Sequence, residues 1–155
     1  MKSKHYLLII STFVFFISSS FSPADKEKIV MIYGGVYKTA CKSNTTYEHY
    51  ELKPVQASIA SKEIELMRLD LIKRFPNTPQ EKIKVKSSKD LFGSATNVCV
   101  ITWTNTGNNC SYDVLYVQFG ISKEDAYNRA LKHKKETADN VDATTKILEE
   151  EPFQK

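Results

Sequence analysis

A thiol beside an imidazole is a nucleophile and base pair for covalent hydrolysis, and Cys41 and His49, eight residues apart, are the two residues here that such a reaction would use. A tight loop between them would bring the pair together. The same residues have a plainer assignment, Cys41 as half of a disulfide and His49 as a surface imidazole, and this is the preferred one. His133 lies between Lys132 and Lys134 on what reads as a solvated helix face. Cys41, His49 and a further cysteine could ligate a metal, but no paired short spacing such as C-x-x-C supports a site. No metal and no cofactor is expected.

The other chemistry-bearing types are spread without a pattern. Glu63, Glu65 and Asp70 lie on an amphipathic segment and Glu149 to Glu151 near the C terminus, so they read as solubility rather than acid and base. Gly34 and Gly35 lead into Val36 and Tyr37 and not into a helix, which argues against a phosphate loop. Asn44 to Thr46 and Asn109 to Ser111 fit the N-x-S/T acceptor pattern, a triplet that also occurs by chance. Aromatic rings are plentiful. Trp103, Tyr112 and Tyr116 would share one face of a hairpin, either as an interaction surface or as packing beneath a helix.

The elements that must position these residues follow from periodicity. Residues 29–38 read as a strand bent or bulged at Gly34 and Gly35, and Tyr47 to Leu52 as a second strand that Pro54 makes an edge or a terminus. Ala60, Ile64, Met67, Leu71 and Phe75 recur at helical spacing, and Pro76 stops that helix. Ile83 and Val85 alternate with Lys82, Lys84 and Lys86, as on a strand with one wet face. Residues 97–119 form a hairpin whose arms are apolar on both faces, the pattern of strands covered on each side. Ser122 begins a second helix, with Asp125 three residues on and Ala126, Tyr127, Ala130 and Leu131 as its apolar stripe.

This order predicts an α+β domain: an antiparallel sheet with a central hairpin and two helices packed on one face. The domain spans 25–138, and 139–155 is expected to be a mobile or partly helical tail. No internal repeat is visible.

Three cysteines imply one bridge and one spare thiol. With a two-residue turn at Thr106 and Gly107, Trp103 pairs Cys110 and Cys99 pairs Val114. Cys99 and Cys110 are then roughly 13 Å apart along the sheet, beyond the limit of about 7 Å between bridged Cα atoms. Cys41 and Cys110, both in polar surroundings, are the expected disulfide, and Cys99 between Val98 and Val100 the buried thiol.

Lys2 and Lys4, an apolar run from Tyr6 to Ile17, and small residues up to Ala24 have the form of a secretory signal peptide over 1–24. The run falls short of the roughly 20 residues that span a bilayer as a helix, so no stable membrane span is expected after processing. The mature chain would be secreted or periplasmic. Removing Lys2 and Lys4 lowers the formal charge from +4 to +2, too little to draw nucleic acid. From the first helix onward the element order matches that of double-stranded-RNA-binding domains, but export and interleaved carboxylates set that third alternative below the others. The leading expectation is a small exported binding module for a protein partner, such as an inhibitor or accessory subunit. The rival is a small secreted hydrolase using Cys41 and His49.

Overall fold

A computed structural model describes residues 27–41, 44–107 and 109–154. The expected leader, 1–24, lies outside the described residues. The chain is α+β, and its described residues form two three-stranded antiparallel sheets in place of the single sheet expected.

The first sheet has strand β1 (Ile29–Thr39) in its centre, flanked by β2 (Thr45–Gln56) and β3 (Ile83–Ser87), with helix α1 (Ala60–Arg74) between them in sequence. In the second sheet β4 (Asn97–Gly107) is central, flanked by β5 (Cys110–Gly120) and β6 (Lys146–Pro152), with helix α3 (Lys123–Thr137) preceding β6. A single-turn helix α2 (Ser88–Leu91) links the two halves. Each half therefore runs strand, strand, helix, strand with its first strand in the middle. This repeat of topology was not visible in the sequence, because it is carried by which faces are apolar and not by matching residues.

Four layers result, α1, first sheet, second sheet, α3, and the helices lie on opposite outer faces rather than on one. The alternation along β1 explains why. Val30, Ile32 and Val36 pack with Met67, Leu71, Ile83 and Val85 under α1, whereas Met31 and Tyr33 point the other way into a core with Val98, Val100, Leu115 and Phe119. Along β4 the same division places Cys99, Ile101 and Trp103 against Ala126 and Ala130 of α3. Strands apolar on both faces need cover on both, and two sheets back to back with a helix outside each supply it.

Local signals behave as physical chemistry requires. Ser122 caps α3 by accepting from the Asp125 amide at 3.1 Å, and Asp125 accepts from the Ile121 amide and from Arg129. α1 stops at Phe75 before Pro76. β1 carries no bulge at the glycines; its pairing with β2 shifts between Val36 and Tyr37, where Glu48 is the extra residue of β2. Gly34 instead lets α1 approach: a Cβ there would lie 2.8 Å from Met67 Sδ and 2.9 Å from Leu71 Cδ1.

Two further expectations are corrected. The hairpin closes at Gly107 with Cys110, so Trp103 faces Val114 and Cys99 faces Gln118. Asn109 accepts the left-handed conformation at φ 60°, which asparagine tolerates, and the turn moves there from Thr106 and Gly107. The shift is even, so every side chain keeps its face. Residues 146–152 of the expected tail form β6 on the edge of the second sheet, and Phe153, 7% exposed, enters the core between the sheets. Glu149 to Glu151, read as a tail charge run, are with Lys146 the charged residues of an edge strand.

Candidate functional site

Cys41 and Cys110 are joined, with Cα atoms 6.2 Å apart. Cys99 is the free thiol, fully buried, and burial followed by the nearby Glu150 carboxylate pushes its pKa up to about 11. The structure does not assemble Cys41 with His49. The Cys41 sulfur is committed to Cys110, while His49 Nε2 lies 3.3 Å from Glu51 and its ring packs on Phe75 with centroids 5.3 Å apart. Glu51 also binds Arg74 at 2.5 Å. Among the described residues, no group of three or more His, Cys, Asp or Glu could hold a metal ion, and no helix is long and apolar enough to cross a membrane.

The aromatic face of β4 and β5 is occupied in part. Trp103 is 2% exposed, packs beneath α3 and donates its indole N–H to Asn105 at 2.9 Å. Tyr116 is half-buried, stacked on His133 with centroids 3.6 Å apart. Tyr112, also half-buried, lies 3.2 Å from Asn105 Nδ2 and donates to Asp139 at 3.3 Å. Tyr112 and Tyr116 thus retain accessible parts along β5.

Sequence reasoning missed a second gathering. Where β3 and β5 run along the same side of the sandwich, a cleft of about 280 Å³ opens between the sheets, lined by Tyr33, Tyr37, Lys84, Lys86, Leu115 and Val117 among others. The register puts Lys84 opposite Gly35 and Lys86 opposite Tyr33, all on the face of the first sheet that looks toward the second. Tyr33 and Tyr37 join their hydroxyls in a hydrogen bond. Gly35 makes room for them, since a Cβ there would lie 2.8 Å from Tyr33 Cζ and 2.9 Å from Tyr37 Cε2. Burial raises the pKa of both phenols, so both stay protonated. The signal available in the sequence was the i, i+2, i+4 spacing of Tyr33, Gly35 and Tyr37, which places all three on one strand face. On the opposite side of the sandwich β2 lies near β6, and burial together with a hydrogen bond to Glu149 pushes the Tyr50 pKa up to about 12.

No family model, no curated protein and no solved structure matches the chain.

Proposed function

We propose that the chain is an exported binding module that takes an extended segment of a protein partner onto the free edge of β5, by strand addition. The observation that carries this reading is that β5 is an edge strand of 11 residues, paired among the described residues with β4 alone, whose one charged residue is Asp113. The other three edges are guarded. β3 carries Lys84 and Lys86, β6 carries Glu149, Glu150 and Glu151, and β2 carries Glu48, Glu51, Lys53 and Pro54. Charges and proline are the means by which edge strands avoid pairing with other chains, and β5 lacks all but one of them.

Tyr112 and Tyr116 supply amphipathic rings beside that edge. Lys84 and Lys86 across the cleft favour a segment with acidic residues. The leader-like start and the Cys41–Cys110 bond agree with an oxidising, secreted or periplasmic setting. An inhibitor or accessory subunit is the kind of role such an edge serves.

Site-specific photo-crosslinking in the native cell tests this. A crosslinking amino acid at Gln118 of β5 is expected to trap a discrete protein adduct, whereas one at Glu151 of β6 or Lys53 of β2 is not. Equal adducts from all three edges would reject the reading, and an adduct with a second copy of this chain alone would replace it with self-association.

A further inference from the structure

The cleft between β3 and β5 has a surplus of hydrogen-bond donors. Two hydroxyls carry two protons, and the bond between Tyr33 and Tyr37 uses one; among the described residues no other side-chain hydrogen bond involves either hydroxyl. Lys84 and Lys86 stand over the pair and, among the described residues, neither makes an ion pair. Among the described residues no carboxylate lines the cleft. Its one amide carbonyl, of Gln118, already accepts from the Phe119 amide at 3.0 Å. Opposite the donors the wall is apolar: Leu115, Val117 and the rim residue Leu91, which is 46% exposed.

We infer that this cleft binds a small organic acid, its carboxylate held by the free phenol proton and the two ammonium groups and its apolar body laid on Leu91, Leu115 and Val117. A cation or a neutral amide would leave the two lysines without a counter-charge, whereas a carboxylate accepts from several charged and neutral donors together. At about 280 Å³ the space suits one ring or a short chain, at the small end of ligand cavities. The inference extends beyond the β5 edge and does not depend on strand addition there: the ligand is a free small molecule, and the polar groups that hold its carboxylate belong to the first sheet.

The test is a titration of the purified full chain, followed by amide and aromatic NMR shifts, with phenylacetate and with its neutral analogue phenylacetamide. Phenylacetate should shift Tyr33, Tyr37, Lys84 and Lys86 saturably, with a millimolar Kd appropriate to about ten heavy atoms. Phenylacetamide should bind at least about tenfold more weakly. Tyr37→Phe should weaken phenylacetate severalfold. The Lys84→Gln/Lys86→Gln variant, changed at exposed positions that leave the fold intact, should weaken it by roughly tenfold. Equal binding of acid and amide, shifts that never saturate, or an unchanged Kd in the double lysine variant would each overturn the inference.

Discussion

Cys41 and Cys110 stand at corresponding points of the two halves, one at the tip of the β1–β2 hairpin and the other beside the tip of the β4–β5 hairpin, at a sequence separation of 69. The bond ties covalently two sheets that also meet through side-chain packing and hydrogen bonds, such as Thr46 Oγ1 donating to the Asp113 carbonyl at 2.8 Å. Closing a loop of that length should stabilise the fold by about 2 to 4 kcal/mol, mainly by restricting the unfolded chain. The Cys41→Ser/Cys110→Ser variant is expected to lose that amount in urea unfolding. Reducing agent should destabilise the parent chain and leave the variant unaffected.

Gly34 faces Met67 and Leu71 closely enough that an added methyl must displace one of them. Gly34→Ala should cost about 1 to 3 kcal/mol, the usual range for overpacking. Adding Met67→Ala removes one of the two obstacles, so the double variant should be less destabilised than the sum of the singles. Simple additivity in a thermal or urea series would show that α1 shifts as a body instead.

Phe153 stacks edge-on against Phe119, with ring centroids 6.2 Å apart, in the core between the sheets. Phe153→Ala should cost about 3 kcal/mol or more. It should also speed amide exchange in β4 and β6, because β6 is held from its far end by this ring and by the Phe153 amide donating to Thr96 O at 2.9 Å. A tail that was only draped on the surface would show neither effect.

His133 stacks flat on Tyr116 and is half-buried, and burial lowers its pKa against a smaller opposing pull from Glu136. With the folded pKa below the unfolded value of about 6.5, the unfolded chain binds more protons in the window between them. Stability from this residue is therefore fully present above pH ~6.5 and declines as pH falls toward the folded pKa. His133→Gln should flatten the stability profile in that window, and NMR titration of the imidazole should show the lowered midpoint directly.

The elements that were legible are those whose signals are local. Ser122 and Asp125 mark the start of α3, Pro76 the end of α1, and alternating lysines mark β3, because caps, proline sterics and side-chain period act within a few residues. The turn at Asn109 was displaced from the expected site, since Gly107 and asparagine can both serve a tight turn and only the pairing of whole strands selects between them. β6 was hidden because Glu149, Glu150 and Glu151 look like a solvated run, while the pairing that makes them a strand comes from β4, about fifty residues earlier in the chain.

The disulfide partner of Cys41 was legible by elimination, because Cys99 sits in an apolar strand and cannot reach Cys110 in any hairpin register near the expected one. The cleft was not. Tyr33 and Tyr37 belong to β1 and the two lysines to β3, and their convergence on Leu115 and Val117 requires the two sheets to stack.

By itself, the sequence determined the two long helices, β1, β3 and the β4–β5 hairpin and which face of each is apolar, and it favoured one cysteine pairing over the others. The tertiary structure alone decided that those faces build two sheets rather than one, that the last strand closes the second sheet, and that phenols and lysines share a cleft. The reason is that periodicity specifies the direction of a side chain relative to its own backbone, whereas what it meets there is set by packing between segments far apart in the chain.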